Sequence, residues 1–206
     1  KTEVYMSLMD KVIKMGKRAI MLVPEISLTT QMISRFYSRF GSRVAIFHSG
    51  LSNGEKYDEY LKIYRNEIDI VVGTRSAIFT PLKNMGLIVL DEEHSETFKQ
   101  DSNPRYNAVD MAIFRGKYNN CPVILGSATP SLEAMARARK GIFKLIVMPN
   151  RVGGAVLPQI EIVDMALEMK KRNTILSEHL QDEIRKNLER GEQTILLLNR
   201  RGHSTI

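Results

Sequence analysis

Cysteine, tryptophan and long apolar runs are scarce in this sequence, and each scarcity excludes a class of protein. The 206 residues include one cysteine, Cys121, and no tryptophan. A lone cysteine cannot form an internal disulfide, which excludes a disulfide-stapled secreted domain and favours a reducing cytoplasm. No apolar run reaches the ~18 residues that span a bilayer, and no signal-peptide pattern opens the chain, so we expect no membrane partner.

The remaining composition is that of an ordinary globular protein with an excess of positive charge. Hydrophobic residues make up 43% of the chain and charged residues 26%, as in typical folded domains. The 30 lysine and arginine residues outnumber the 23 acidic residues, and most of the excess lies in residues 1–150, which carry 21 basic and 15 acidic side chains. This excess is compatible with a nucleic-acid partner, although many proteins without such a partner are equally basic.

Short apolar runs alternate with longer amphipathic segments along the chain. The runs are rich in Val and Ile and mostly lack alternation with polar residues, which is typical of strands buried on both faces of a parallel sheet. Capping signals predict helices over residues 3–15, 52–64, 131–140 and 177–190. We therefore predict a doubly wound α/β fold. The predicted strands are residues 19–23, 44–47, 68–72, 87–90, 123–125, 145–148, 160–163 and 194–198.

Residues 149–158 are the best candidate for a linker, because they begin and end with proline and contain the pair Gly153-Gly154. We predict a first domain over residues 1–150, and a linker with the start of a second domain over residues 151–206. Ligands of doubly wound sheets bind beyond the carboxyl ends of the strands. The residues that follow each predicted strand are therefore the candidate site.

Three carboxylates and an imidazole follow the predicted strand at 87–90, namely Asp91, Glu92, Glu93 and His94. Close like charges cost stability unless a cation or a hydrogen-bond donor lies among them. Four apolar residues followed by Asp-Glu form the Walker B pattern of ATPases, in which the Asp holds Mg²⁺ and the Glu polarises the attacking water. The alternative interpretation is a solvated acidic turn.

Polar residues follow three further strands. Thr74 and Arg75 come after the strand at 68–72, and Ser127 and Thr129 come after the strand at 123–125. Thr129 is also the predicted N-cap of the next helix, with a proline at the first helical position. After the strand at 19–23 the chain reaches a predicted helix start at residues 27–31, whose free backbone N–H groups are suited to phosphate oxygens.

The first two residues, Lys1 and Thr2, open a predicted helix. A Walker A motif ends in the same way, with a Lys that reaches the β- and γ-phosphates and a Ser or Thr whose hydroxyl binds Mg²⁺. The dipeptide alone indicates nothing, because it occurs by chance in most proteins. Its position at a helix start, ahead of a Walker B pattern, is what makes it a candidate.

In this order, the motifs resemble those of superfamily 2 DExH helicases, and most closely those of the primosomal replication-restart DNA helicases. The resemblance runs through residues 1–2, 22–29, 73–81, 91–94, 98–100, 104–106, 126–131 and 198–202. It implies a RecA-like fold and an ATP-dependent 3′→5′ DNA helicase that acts on single-stranded and forked DNA at stalled forks. It also implies primosome and replicative-helicase-loading proteins as partners, and a bacterial, cytoplasmic, nucleoid-associated location.

The resemblance implies a role for each candidate residue. Lys1 and Thr2 would bind ATP, Thr2 and Asp91 would hold Mg²⁺, and Asp91 and Glu92 would be catalytic. The residues expected to couple nucleotide state to DNA engagement are His94, Ser127 and Thr129. The residues expected to contact DNA, mostly at phosphates, are Pro24, Thr29, Gln31, Thr74 and Arg75.

A loop over residues 95–106 is expected to sense single strands. By the resemblance, its DNA contacts would be Phe98, Lys99, Arg105 and Tyr106. Aromatic faces that stack on bases, with cations beside them, are typical of single-strand binding. The alternative is that the two aromatic side chains anchor the loop on the sheet.

Several parts of such a helicase are expected to lie outside these residues. They are the Walker A glycines and their strand, the zinc-binding cysteines and the later second-lobe motifs. We therefore expect a fragment that is inactive as an ATPase by itself, from a parent protein that also binds zinc. Two alternatives remain, another DExH translocase such as a restriction or remodelling motor, and a non-catalytic nucleic-acid-binding module of the same fold.

Overall fold

A computed structural model describes residues 1–150, 158–170 and 175–197. Its internal contacts divide the chain into two compact units, Lys1–Ile146 and Val147–Ile206. The predicted linker glycines and the motif at residues 198–202 lie outside the described residues.

The first unit alternates strands and helices. Its strands are β1 (Arg18–Leu22), β2 (Val44–Phe47), β3 (Ile70–Gly73), β4 (Met85–Asp91), β5 (Lys99–Gln100), β6 (Tyr106–Asn107) and β7 (Val123–Gly126). Its helices are α1 (Thr2–Lys14), α2 (Thr30–Phe40), α3 (Asn53–Tyr64), α4 (Ala108–Tyr118) and α5 (Leu132–Arg139). The second unit contains the helices α6 (Met165–Lys170) and α7 (Glu178–Glu189).

Five of the strands form one parallel sheet in the order β2-β3-β1-β4-β7. The parallel α/β architecture predicted from the apolar runs is therefore confirmed. All five carboxyl ends lie along one edge, and the register places Asp91, the last residue of β4, opposite Gly126, the last residue of β7. The remaining strands, β5 and β6, form a separate antiparallel pair.

Helices cover both faces of the sheet. Successive strand residues point to opposite faces of the sheet. Each strand therefore contributes residues to two buried clusters, one on each face. On one face α1 and α2 contribute Met9 and Phe36, and on the other α3 and α4 contribute Ile63 and Ala112. This two-sided burial explains why the strand sequences are continuously apolar.

The helix ends agree with the capping signals at two of three sites. The signals behind the helices predicted at 52–64 and 177–190 are a capping box of Ser52 with Glu55, both of whose bonds form at α3, and Ser177, which caps α7. The predicted cap of α5 is wrong, because Ser131 and not Thr129 accepts the hydrogen bond from the third helical residue. The Ser131 backbone N–H, which has no acceptor within the helix, donates to a carboxylate of another segment.

Three predicted strands are not strands in the structure. Residues 145–148, 160–163 and 194–197 have no regular structure, and residue 198 lies outside the described residues. Their apolar side chains are exposed, for example Ile162 at 95% and Ile195 at 96%. A strand requires a neighbouring strand for its backbone hydrogen bonds, and among the described residues no strand pairs with these segments.

Candidate active site

An ion-pair cluster lies at the carboxyl end of β4. Lys1 precedes α1, and its Nζ lies 3.3 Å from Asp91 Oδ1 and also pairs with the Glu92 carboxylate. Burial lowers the pKa of Lys1, but its hydrogen bond to Glu92 and the charge of Asp91 outweigh burial, so its pKa is raised above the ordinary value. The structure therefore places the predicted Walker A lysine beside both predicted Walker B carboxylates.

Glu92 has an unusual backbone conformation. Its φ is 50°, in the left-handed region that a non-glycine residue occupies only at a cost. The turn is held by a hydrogen bond from the Glu92 backbone N–H to its neighbour Asp91 Oδ1, at 3.1 Å. About a third of the Glu92 side chain is exposed. The turn thus directs a carboxylate toward solvent at the sheet edge.

Tyr5 is a site residue that sequence reasoning missed. It lies one helical turn after Lys1 on α1, is 5% exposed, and its hydroxyl donates to Asp91 Oδ1 at 3.2 Å. Burial, and next the Asp91 charge, raise the pKa of Tyr5 far above its ordinary value, so the hydroxyl stays protonated. Its four-residue spacing from Lys1 places it on the same helix face, but this spacing does not distinguish it from an ordinary core residue.

The three predicted coupling residues are close together. His94 Nδ1 lies 2.7 Å from Ser127 Oγ, and the Thr129 backbone N–H donates to the same Ser127 oxygen at 3.0 Å. His94 Nδ1 is also 3.7 Å from a Glu92 carboxylate oxygen. The imidazole therefore bridges the turn after β4 and the turn after β7.

Glu93 makes a second link between these two turns, and its role was not predicted. Its side chain is buried, with 6% exposure, and its two carboxylate oxygens accept from the Ser131 backbone N–H at 2.7 Å and the Ser131 hydroxyl at 2.9 Å. A buried carboxylate is stable only with such donors. No local pattern marks this pairing, because the two residues are 38 positions apart.

The predicted DNA-contacting residues after β1 differ in exposure. Thr29 caps α2 by accepting from the Met32 backbone N–H at 3.2 Å, and both Thr29 and Gln31 are exposed. Pro24 is buried. The neighbouring Glu25 accepts from the Ser49 hydroxyl at 3.0 Å, which connects this segment to the turn after β2.

Two other predicted contacts are buried. Thr74 is 4% exposed and Phe98 is 1% exposed, so neither side chain has surface to offer DNA. Phe98 belongs to the core beneath the 95–106 loop, which is the anchoring alternative that the sequence left open. An aromatic residue in a polar loop could not be assigned to core or surface from the sequence alone.

Arg75 contacts the loop instead of projecting freely. Its guanidinium donates to the Lys99 carbonyl at 2.9 Å and to the Thr97 carbonyl at 3.4 Å. Lys99 is exposed and pairs with Glu96 at 2.9 Å, and Arg105 is exposed as well. The structure therefore brings these three cations to one loop, with Arg75 as its anchor.

An aromatic pair lies beside this anchor. The rings of Tyr106 and Phe79 meet edge to face, with centroids 4.9 Å apart and planes at 79°. Tyr106 is half-buried, whereas Phe79 is 52% exposed. Phe79 was not singled out in the sequence, although it stands within the 73–81 motif. The exposed aromatic surface of this region is thus Phe79 with Tyr106, and not Phe98.

The chain is similar to a known protein family and to several known proteins. Residues 1–138 match the DEAD/DEAH box helicase family. The replication restart protein PriA of Bacillus subtilis is 51% identical over 206 residues, which is 100% of this chain and 26% of that protein. The PriA proteins of Synechocystis sp. and Treponema pallidum are 46% and 44% identical, covering 100% and 99% of this chain and 25% and 30% of theirs. The chain therefore spans between a quarter and a third of the length of these relatives.

Among the described residues, no helix is both long enough and apolar enough to cross a membrane.

Proposed function

Because the chain belongs to the DEAD/DEAH box helicase family, we propose that it forms the first motor lobe of an ATP-dependent 3′→5′ DNA helicase in replication restart. The observation that carries the proposal is the contact of Lys1 with Asp91 and Glu92 at the carboxyl edge of the sheet. A cation for phosphates, a carboxylate for a metal and a carboxylate for water are the parts that phosphoryl transfer requires. The similarity to PriA proteins over the whole chain supports replication restart.

The donor set at this edge fits Mg²⁺. This ion prefers oxygen ligands and is usually bound by one or two carboxylates together with substrate phosphates and water. Among the described residues no group of three or more His, Cys, Asp or Glu could hold a metal ion, so an ion at this edge would need ATP phosphates and water as its other ligands. Thr2 and Asp91 would hold the ion, which would neutralise charge on the phosphates.

The protein residues would act by positioning and charge. Lys1 would leave its ion pair with Glu92 to bind the β- and γ-phosphates, which frees the Glu92 carboxylate to orient the attacking water. His94, Ser127 and Thr129 would relay the change, because one hydroxyl joins all three.

The DNA surface would lie on the same sheet edge, around β1, β3 and the 95–106 loop. Thr29 and Gln31 would contact phosphates, while Lys99 and Arg105 would supply cations and Arg75 would fix the loop. Tyr106 and the more exposed Phe79 would stack on bases. Phosphate contacts of this kind carry affinity but little sequence information.

The proposed protein is longer than this chain, as its relatives are. We propose that it resides in the bacterial cytoplasm at the nucleoid and binds single-stranded and forked DNA. Primosome and helicase-loading proteins would be its partners, and zinc would bind elsewhere in the protein. Residues 151–206 would belong to the linker and the second lobe.

A single substitution in the full-length protein tests the proposal. Glu92→Gln removes the proposed water-orienting charge and keeps its size, so DNA-stimulated ATP hydrolysis should fall by at least about a hundredfold while ATP binding persists. The control is Glu67→Gln, an exposed residue just before β3, which should change neither quantity. Unchanged DNA-stimulated ATP hydrolysis in Glu92→Gln would contradict the assignment.

A further inference from the structure

One carboxylate oxygen of Asp91 collects three donors. Oδ1 accepts from the Tyr5 hydroxyl at 3.2 Å and from the Glu92 backbone N–H at 3.1 Å, and Lys1 Nζ lies 3.3 Å away. Oδ2 accepts no hydrogen bond from any described residue. The carboxylate group of an Asp otherwise rotates broadly about its terminal torsion, and donors on one oxygen alone fix that rotation.

Of the two side chains that donate to Asp91 Oδ1 or pair with it, Tyr5 is buried and Lys1 is partly exposed. Its ring is packed among buried side chains of α1 and the sheet, including Met9 and Val89. The Lys1 side chain is 30% exposed, and in the proposed function it moves to the phosphates. The Tyr5 hydroxyl has no such freedom, so it can hold Asp91 in both states of Lys1.

The strand beside Asp91 leaves room for this hydroxyl. Gly126 lies opposite Asp91 in the sheet, and a Cβ placed on Gly126 would lie 1.8 Å from the Tyr5 hydroxyl oxygen and 2.9 Å from its Cζ. Any side chain larger than hydrogen at residue 126 would therefore displace the hydroxyl. The hydrogen bond depends on the absence of a side chain on the neighbouring strand.

We propose that Tyr5 is a positioning residue for metal binding, whose hydroxyl turns Asp91 so that Oδ2 is the oxygen presented to the Mg²⁺ of Mg–ATP. This proposal rests on the ATPase function proposed above. A purely structural role would be that the ring fills the core and the hydroxyl has no effect on metal binding. The two roles differ in whether loss of the hydroxyl changes the dependence on Mg²⁺.

Tyr5→Phe in the full-length protein separates the two roles, because it keeps the ring and removes only the hydroxyl. The measurement is the affinity for a fluorescent non-hydrolysable ATP analogue, first with excess Mg²⁺ and then with EDTA. Loss of a group that orients a metal ligand typically costs at least about tenfold in metal affinity. We therefore expect the gain in analogue affinity on adding Mg²⁺ to shrink by roughly tenfold, with the affinity in EDTA unchanged.

Hydrolysis should report the same defect in Tyr5→Phe. The Mg²⁺ concentration that half-saturates the ATPase should rise, and the lost rate should return at high Mg²⁺. The matched control is Tyr37→Phe on α2, which removes a hydroxyl distant from Asp91 and should behave as the unmodified protein. Gly126→Ala is the second variant, and it should show the same weakened response to Mg²⁺ with Tyr5 still present.

The outcomes are distinct. An unchanged response to Mg²⁺ in Tyr5→Phe would overturn the proposal, whether or not the melting temperature falls, because the hydroxyl would then be structural alone. If the unmodified protein bound the analogue equally with and without Mg²⁺, the proposed ATPase function itself would fail, and the positioning role with it.

Discussion

Glu93 and Ser131 are joined by two hydrogen bonds across 38 positions of sequence, at 2.7 Å and 2.9 Å. The Glu93 backbone N–H also donates to the Gly126 carbonyl at 3.1 Å. Together with the contact of His94 and Ser127, these bonds attach the turn after β4 to the start of α5. A displacement of the Glu92 turn must therefore move the start of α5 or break buried hydrogen bonds.

Glu93→Gln should destabilise the fold through this link. The amide keeps one acceptor oxygen, but its NH₂ group is a donor, so one of the two hydrogen bonds that Ser131 donates to the carboxylate is lost in a buried site. The free energy of unfolding should fall by about 1–3 kcal/mol, measured by urea denaturation.

The pairing itself is tested by a double-mutant cycle with Ser131→Ala. The combined variant should lose less stability than the sum of the two single variants, because both remove the same interaction. Additive losses would show that the two side chains contribute independently.

Phe79→Ala should weaken binding of single-stranded DNA in the full-length protein. Stacking of one base on an aromatic ring contributes about 1–3 kcal/mol, and Phe79 is the exposed member of its pair with Tyr106. Fluorescence anisotropy with a labelled oligonucleotide measures the affinity. Tyr118→Ala is the control, since this tyrosine is 83% exposed at the far end of α4.

Phe98→Leu completes this comparison. Because Phe98 is a core residue, the variant should lower the melting temperature and leave the DNA affinity of the folded protein close to that of the unmodified protein. If Phe79→Ala and Tyr118→Ala bound DNA equally well, the stacking assignment for Phe79 would be wrong.

Arg75→Lys should loosen the 95–106 loop even without DNA. The guanidinium donates to two loop carbonyls through Nη1, and lysine carries its strongly hydrated ammonium on a flexible stem that holds these carbonyls less rigidly than the planar guanidinium does. Backbone amides of the loop should then exchange hydrogen for deuterium faster, as measured by mass spectrometry. Arg35→Lys is the control, since Arg35 is an exposed residue of α2 outside the loop, and equal exchange in both variants would leave Arg75 without the anchoring role.

The sheet was predictable because its strands have a local signature. The apolar runs ending before Asp91 and Ser127 mark strands buried on both faces, and the parallel fold brings their ends to one edge. This is sufficient to place Glu92 and Ser127 in one candidate site, whereas Lys1 was a candidate only through the order of the motifs. The prediction of strands at residues 145–148, 160–163 and 194–197 was wrong, because an apolar run is also compatible with a segment that pairs with no other strand.

The contacts that complete the site were not predictable. Tyr5 and Asp91 are 86 positions apart, and Tyr5 has the spacing of an ordinary core residue on an amphipathic helix. Phe98 stands among polar residues in the sequence and Phe79 beside the apolar Ala77 and Ile78, yet Phe98 is buried and Phe79 is exposed. Only the packing of α1 and the loop on the sheet distinguishes such cases.

Tyr5 should make the stability of the chain fall at alkaline pH. Burial raises its pKa in the folded state above the ordinary value of 10.0, so the unfolded chain releases this proton first. At neutral pH the group is protonated in both states and has no effect. As the pH rises above about 10, the free energy of unfolding should fall by up to about 1.4 kcal/mol per pH unit from this group.

Urea denaturation between neutral pH and the alkaline range measures this effect, and Tyr5→Phe should show a shallower decline because it has no proton to lose. The comparison removes contributions that both proteins share, such as lysine deprotonation. Tyr118→Phe, which changes an exposed tyrosine, should follow the unmodified chain. Parallel curves for Tyr5→Phe and the unmodified chain would mean that the Tyr5 hydroxyl ionises as readily in the folded state as in the unfolded one.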